Sequence, residues 1–263
     1  MRASTGTSCA ALVLVGNLVV ADEAFAAEPN LEVNLEANAS RLSGGFDTQV
    51  SQLLNLAWTG EAQSRAQLGL EHKRAFGERA TIAVAGYARD VSALDRVGFA
   101  FATSDAQTIA ARWRVDGQYS RKLGQQLDIV ASVGGFVSST ADGHRDSSVI
   151  PSVAWYFADR QVLEAGVRLA RSDPGAQKAA RGFAVYTWTA QLQDTISVRA
   201  EAGREAYQSL GANAAVANFA SQELALAWRH WSTPTAGLGL NVAAYSNPLY
   251  RKNTFGLVAF ASF

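Results

Sequence analysis

The sequence predicts an all-β fold: a transmembrane antiparallel up-and-down β-barrel of the bacterial outer-membrane type with about 14 strands. Three observations lead to this prediction. Apolar and polar residues alternate along many short segments, which is the period of a strand with one apolar and one polar face. After residue 26, no apolar run approaches the roughly 18 residues that a membrane-spanning helix needs. The chain ends in another alternating segment, which closes on Phe263.

The alternation is clearest over residues 31–40. Apolar residues occupy every odd position from Leu31 to Ala39, and polar residues occupy every even position from Glu32 to Ser40. A soluble sandwich of two antiparallel sheets is the alternative fold, but it would need turns of similar length at both ends. A closed barrel leaves no unpaired strand edge in the membrane.

The pattern recurs about every dozen residues and gives fourteen candidate strands. Each is about as long as a tilted strand that crosses a bilayer, roughly 9–11 residues. In the sixth candidate, Ile109 and Trp113 fall on the apolar face; in the eighth, Pro151 removes a ladder hydrogen bond and predicts a kink or bulge. The candidates are 30–42, 48–59, 64–74, 79–90, 95–104, 108–122, 127–139, 147–158, 161–172, 180–191, 194–207, 219–231, 235–246 and 252–263.

Connection lengths give independent evidence for a barrel. Short turns and longer polar links alternate through the second half, as in a meander with both termini in the periplasm, which requires an even number of strands. The links 44–47 and 76–79 are short for outer loops, so about twelve strands is an open alternative. The predicted periplasmic turns are 123–126, 158–160, 193–194 and 232–235, and the predicted outer links are 139–145, 173–180, 209–218 and 245–253.

Residues 1–26 have the layout of a cleaved secretory signal peptide, which leaves 27–263 as a single barrel domain. Arg2 precedes an apolar run, and Ala24-Phe25-Ala26 supplies small residues at the expected cleavage site. Cys9 is the single cysteine and lies in this segment. The mature chain is therefore expected to contain no disulfide and no thiolate metal site.

The charged faces of the strands are expected to point into the barrel, because a Lys or Arg on the lipid face at mid-bilayer costs roughly 2–4 kcal/mol. Two interpretations of this interior are open. Either opposite charges pair and fill the barrel, or they line a narrow aqueous path, since about 12 to 14 strands fall between filled and open barrels. The candidate lumen-lining residues are Glu32, Glu36, Arg65, Glu71, Arg112, Arg114, Asp116, Arg199, Glu201, Glu223 and Arg229.

No group of residues predicts catalysis, a cofactor or a bound metal ion. His72 and His230 are expected near the membrane interfaces, and a Ser–His hydrolase would need an aligned serine one strand away. His144 with Asp142 and Asp146 is a weak metal candidate, for which a solvated outer loop is the simpler interpretation. The tryptophans are expected mostly on the lipid face, where aromatic belts form.

Several short motifs follow one another along the chain. Arg112-Trp113-Arg114 stands near a strand start, Gly135-Phe136 lies in the next strand, and Trp155-Tyr156-Phe157, Arg171-Ser172-Asp173 and Ala202-Gly203-Arg204-Glu205 follow. This order, with a terminal strand closing the chain, resembles the YaiO family of outer-membrane barrels. The resemblance implies an outer-membrane barrel of undefined role, sometimes linked to envelope polysaccharide. It implies no catalytic residues.

We expect a non-enzymatic protein of the cell outer membrane, without a cofactor, that supports export or assembly of envelope polysaccharide. A porin-like diffusion channel for ions or sugars is the alternative, and a lipid-modifying barrel enzyme is a third hypothesis. The expected partners are outer-membrane lipid and lipopolysaccharide, the barrel-assembly machinery acting on the strand that ends at Phe263, and polysaccharide. With 23 basic and 23 acidic residues, no nucleic-acid partner is expected.

Overall fold

The protein, described by a computed structural model over residues 30–158, 160–190, 193–209 and 215–263, is a closed antiparallel β-barrel. Its fourteen strands follow one another in chain order, and β1 closes the ring by pairing with β14. The signal-peptide prediction for residues 1–26 lies outside the described residues. The strands are β1 (Asn30–Leu42), β2 (Gln49–Thr59), β3 (Arg65–Ala75), β4 (Glu78–Asp90), β5 (Asp95–Ser104), β6 (Trp113–Leu123), β7 (Ile129–Ser139), β8 (Arg145–Phe157), β9 (Gln161–Asp173), β10 (Gln177–Ala190), β11 (Asp194–Ser209), β12 (Ala215–Trp231), β13 (Ala236–Ser246) and β14 (Arg251–Ser262).

The two ends of the barrel differ in their connections. Leu31 and Phe263 exchange backbone hydrogen bonds of 3.0 and 2.9 Å at one end. The opposite end carries the eight-residue connection 105–112 and the long hairpin of β11 and β12. Because outer-membrane barrels have their longer connections outside, we assign this second end to the exterior and the end with Phe263 to the periplasm.

A tight turn at the outer end explains how fourteen strands fit despite short links. Ala75 and Glu78 are register partners, so only Phe76 and Gly77 connect β3 to β4. Both have positive φ, 50° and 79°, as the primed hairpin turns require. The fourteen-strand prediction is confirmed, and the twelve-strand alternative is wrong.

The strands present an apolar surface to the membrane and a polar surface to the interior. On β5, Phe99 and Phe101 are exposed, whereas Ala100 between them and Ala102 after them are buried. On β6, Trp113 and Val115 are exposed, whereas Arg114 is buried. Within the described residues, the structure contains no helix long and apolar enough to cross a membrane.

Two details of the strands differ from the sequence prediction. β6 begins at Trp113 rather than at 108, because residues 105–112 fold onto the outer end of β4. There Ile109 is only 2% exposed and packs with Ala80 and Ile82, so it does not face lipid. Ile109 therefore fits the alternating pattern because it packs against the barrel, and not because it contacts lipid.

Pro151 perturbs the pairing of β8 without shifting its register. Val149 pairs with Leu169 and Ser152 pairs with Gly166, while no pairing with β9 spans Ile150 and Pro151. The register is the same on both sides of this gap, so the strand contains no bulge there. Pro151 lacks an N–H donor, which is the physical reason for a local gap in the ladder.

The outer links are shorter than predicted because several strands continue past the expected membrane edge. β8 begins at Arg145, β10 at Gln177 and β14 at Arg251. The described outer links in this part of the chain are therefore 140–144, 174–176 and 247–250. The connections at the two ends of the barrel therefore differ less in length than the sequence predicted.

Candidate functional site in the barrel interior

Ion pairs and hydrogen bonds between strands that are not neighbours define the interior. Arg229 of β12 lies 3.3 Å from Glu32 of β1, although β13 and β14 separate these strands. Asn241 of β13 donates a 3.0 Å hydrogen bond to Glu36 of β1 across β14. Side chains converge in this way only on the concave face of a barrel, so these groups point inward.

Ten of the eleven residues predicted to line the lumen lie in strands. They occupy the inward face, which they share with the groups that make the cross-barrel contacts or with buried polar side chains. Arg112 does not, because it precedes β6 and is exposed in the outer connection 105–112. Its backbone carbonyl accepts a 2.9 Å hydrogen bond from Thr103. The ten are Glu32 and Glu36 on β1, Arg65 and Glu71 on β3, Arg114 and Asp116 on β6, Arg199 and Glu201 on β11, and Glu223 and Arg229 on β12.

Among the described residues, Arg181 is the centre of the largest group of charges, which we call the arginine–glutamate network: Arg168, Arg181, Arg199, Glu201, Glu205 and Glu223. The Arg181 guanidinium lies 3.1 Å from Glu201, 3.2 Å from Glu205 and 3.5 Å from Glu223. Arg181 is 5% exposed. Its three carboxylate neighbours offset the cost of burying its charge.

Glu201 collects positive charge from three strands. Arg199 donates to it at 2.6 Å from the same strand, and Arg168 approaches within 3.9 Å from β9. Arg168 and Arg181 are register partners on β9 and β10, so two like charges stand directly opposite each other. Such pairs are destabilising unless a countercharge intervenes, and Glu201 supplies it.

A separate pair lies on the wall formed by β6 and β7. Arg114 binds Asp116 through three contacts of 3.0, 2.8 and 2.5 Å. Its guanidinium also stacks on the Phe136 ring, with 3.7 Å to the centroid. Both charges are buried. The two charges neutralise each other, and the pair holds Arg114 against the wall.

The wall formed by β1 to β3, β13 and β14 carries amide and hydroxyl side chains among its charged groups. Asn38 donates a 2.8 Å hydrogen bond to Glu36, and Gln67 donates one of 2.9 Å to Asn55. Ser40 and Thr254 share a 2.8 Å hydrogen bond. We call Glu36, Asn38, Asn55, Gln67 and Asn241 the amide wall. These side chains offer both donors and acceptors to the interior.

An aromatic group narrows the outer mouth above the amide wall. Phe46, Phe76 and Tyr250 come from three connections and meet edge to face, with centroids 5.6, 5.5 and 6.1 Å apart. Leu42 and Tyr245 complete this mouth cluster. The Tyr245 hydroxyl donates a 3.0 Å hydrogen bond to Glu205, which links the mouth cluster to the arginine–glutamate network.

His144 approaches the mouth from the other side. It is 1% exposed and stacks on Tyr207 of β11, with ring centroids 4.2 Å apart. Its Nε2 lies 3.4 Å from Asp146. The interpretation of His144 as part of a solvated loop is therefore wrong. Among the residues that the structure describes, no three His, Cys, Asp or Glu side chains are grouped to hold a metal ion.

The other two histidines lie on the outward face. His72 has the parity of Leu68 and Leu70 near the outer end of β3. His230 shares Asp194 with Trp228 at the periplasmic end, through hydrogen bonds of 3.0 and 2.9 Å. Both positions agree with the interfacial locations expected from the sequence.

Aromatic side chains also narrow the periplasmic end of the interior. Trp231 has inward parity and meets Phe260 edge to face at 4.6 Å, unlike the other tryptophans, which face outward. Arg229 stacks on Phe260 at 3.9 Å while pairing with Glu32. The interior is thus polar, with aromatic side chains near both of its ends.

The sequence model of the YaiO membrane beta barrel domain matches residues 30–208, which is more than half of the chain. The chain belongs to the YaiO family. The match confirms the predicted family, and it supports the predicted location in the outer membrane. No curated protein matches the sequence.

Several solved structures are similar in fold to this YaiO-family barrel. The CymD monoaromatic hydrocarbon channel has a TM-score of 0.57 at 8% identity, covering 90% of this chain and 88% of that one. A bacterial polysaccharide outer membrane secretin has a TM-score of 0.57 at 9% identity, with coverage of 89% and 97%. The translocator domain of the autotransporter NalP from Neisseria meningitidis has a TM-score of 0.51 at 12% identity, with coverage of 96% and 93%. At these identities the likeness establishes the fold alone.

Proposed function

We propose that this YaiO-family barrel is a non-enzymatic outer-membrane protein whose polar interior guides an envelope polysaccharide. The observation that carries the proposal is the amide wall, in which Glu36, Asn38 and Asn241 are joined by hydrogen bonds of 2.8 and 3.0 Å. Sugar hydroxyls both donate and accept hydrogen bonds, as these amide and carboxylate groups do. A wall with both kinds of group suits a chain of sugars better than it suits one ion.

The arrangement of charges supports a neutral or weakly charged cargo. Arg181 and Arg114 are each bound to carboxylates and buried. Their charges therefore cancel locally and present no large single-sign field to the interior. The mouth cluster adds flat apolar surfaces at the outer end, where the faces of sugar rings can pack.

The non-enzymatic part of the proposal rests on the surroundings of the histidines. His72 and His230 face outward, and the buried His144 lies beside Asp146. Ser172 donates its hydroxyl to Asp146 rather than to the imidazole. A nucleophile activated by histidine needs a direct Ser–His hydrogen bond, which this arrangement does not supply.

A polysaccharide outer membrane secretin and a hydrocarbon channel are among the structurally similar proteins. The names of those two proteins say what they themselves carry, and not what this chain carries. The fold that they share with this chain is compatible with passage through a barrel. The amide wall, and not this likeness in fold, supports the proposed class of cargo.

A diffusion channel for ions or small sugars is the second candidate. It is favoured by the side chains of Arg229, Glu223 and Arg199, which are 37%, 33% and 31% exposed inside the barrel. Charges that contact water along the interior would attract and sort small ions.

The test measures uptake of neutral oligosaccharides into liposomes that contain the folded protein. We expect Asn38→Leu with Asn55→Leu to lower oligosaccharide uptake by about tenfold, because two hydrogen-bonding groups that contact the sugar are lost. Gln52→Leu is the matched control, since Gln52 lies on the outward face of β2. Equal uptake by the double variant and the control would favour the simple diffusion channel. Failure of the folded wild type either to admit or to bind oligosaccharide would contradict the proposal.

A further inference from the structure

Two unpaired arginines face outward at the outer end of β3 and β4. Arg74 and Arg79 are register partners, and both are exposed. Their parity is that of Leu68 and Leu70, whose side chains face the membrane. Neither arginine forms an ion pair with a carboxylate in the described part of the chain. Like charges placed directly opposite on one face destabilise a sheet, so this pair has an energetic cost that an anion would remove.

The nearest acidic groups are committed elsewhere. Glu78, the residue before Arg79, points inward and binds Thr108 of the connection 105–112 at 2.6 Å. Asp105 accepts a 2.6 Å hydrogen bond from the backbone N–H of Thr81. Both carboxylates hold the outer connection in place, which leaves the two guanidinium groups directed toward the membrane interface.

Below the arginines, the outward face becomes progressively less polar. His72 and Thr81 are register partners one tier closer to the membrane centre. Next come Leu70 opposite Ala83, and then Leu68 opposite Ala85. Successive outward positions on one strand lie about 6.6 Å apart. The order from the outer rim inward is therefore charged, polar and apolar.

The apolar tiers form a groove rather than a smooth surface. Its volume is about 300 Å³, and the small side chains Ala83 and Ala85 form its floor. Leu68 and Leu70 form one side, and Phe101 forms the other. Because a groove of this kind on the lipid face is filled by hydrocarbon, its natural occupant is an acyl chain.

We propose that this surface of β2 to β5 is a binding site for a phosphorylated outer-leaflet lipid. Arg74 and Arg79 bind the headgroup phosphate, and one acyl chain lies in the groove over Ala83 and Ala85. Arginine suits this role because its planar guanidinium binds phosphate oxygens bidentately and remains charged. The match of charge, polarity and shape along a single line distinguishes the site from a general basic rim.

The test is native mass spectrometry of the folded protein in detergent, with bis-phosphorylated lipid A and the same lipid after dephosphorylation. We expect the wild type to prefer the phosphorylated form and Arg74→Gln with Arg79→Gln to lose this preference by about tenfold or more. The matched control is Arg145→Gln with Arg171→Gln. Those arginines are also exposed at the outer rim, but Asp173 is the register partner of Arg145 and lies 3.2 Å from Arg171.

A second variant tests the groove separately. Ala83→Leu with Ala85→Leu fills the floor with apolar atoms, so it should weaken binding of both lipid forms while the phosphate preference persists. Retention of heat-modifiable migration would show that each variant folds. The proposal is overturned if the Arg74 and Arg79 variant keeps the wild-type preference, or if the control variant loses it equally. Wild-type binding by the groove variant would overturn the assignment of the acyl chain.

Discussion

Arg181 determines how the charges of the interior are arranged. Its guanidinium contacts Glu201, Glu205 and Glu223, and it lies opposite Arg168. Removing it would leave the carboxylates of Glu201, Glu205 and Glu223 close together without the guanidinium that they share. Since an unpaired buried charge costs far more than a surface ion pair contributes, this site should dominate the stability of the β9–β12 wall.

We predict that Arg181→Met lowers the free energy of unfolding by about 3 kcal/mol, because it breaks a buried charge network. Arg171→Met is the control, since Arg171 pairs with Asp173 at the surface and should contribute less than about 1 kcal/mol. Urea unfolding of the barrel in lipid vesicles, followed by tryptophan fluorescence, measures both values. Equal effects of the two substitutions would show that the network does not stabilise the wall.

The sequence predicted some of these interior residues and missed others for a physical reason. Arg114 and Asp116 alternate with Trp113 and Val115, so their inward direction follows from the pattern. Arg181 has no such signal, because Val185 on the same inward face is apolar. Its role depends on carboxylates of β11 and β12, which the register of the paired strands β10, β11 and β12 brings together. Arg112 was wrongly predicted to line the lumen, because the alternating pattern begins several residues before β6 does.

At the scale of elements, the connection 105–112 behaves as part of the barrel rather than as a free loop. Thr108 binds Glu78, and Ile109 packs among Ala75, Ala80 and Ile82. These contacts combine charge-assisted hydrogen bonds from Gln107 and Thr108 to Glu78 with a closed apolar cluster. The connection therefore narrows the mouth next to the mouth cluster and fixes the outer end of β3 and β4.

We predict that Ile109→Ala releases this connection from the mouth. Truncating a fully buried isoleucine costs roughly 2–5 kcal/mol, and the cost is local to the cluster that it leaves. Limited proteolysis should cut within 105–112 much faster in this variant than in the wild type. Val91→Ala is the control, because Val91 is exposed in the β4–β5 turn. Resistance of the Ile109 variant to cleavage would show that the connection is held by other contacts.

Strand positions were predicted best where one face contacts lipid. The cost of a charge in hydrocarbon imposes a strict period of two, and β1, β5 and β14 follow it within one or two residues of the predicted bounds. The prediction failed at the mouth, where Ile109 belongs to the connection 105–112 and packs against the barrel. No contact with lipid imposes the period of two there. Polar strand extensions beyond the membrane, as at the start of β8, carry no such signal either.

At the scale of the whole molecule, closure joins the two surfaces that carry the proposals. The ring of fourteen strands leaves no free edge, so every strand has one face in the membrane and one face in the interior. The outward face grades from arginine to leucine along β3, which suits a phosphorylated lipid. The inward face combines paired charges with an amide wall, which suits a hydrated cargo.

The interior proposed above is a path, narrowed at the outer end by the mouth cluster. Single-channel recording of the folded protein in planar bilayers shows whether this path conducts. The wild type is compared with the variant Phe46→Ala and Phe76→Ala. We predict a small, steady current for the wild type, interrupted by added oligosaccharide, and a larger current for the variant. Silence of both proteins, with heat-modifiable migration showing that each is folded, would contradict the account and identify the charged interior as a sealed polar core.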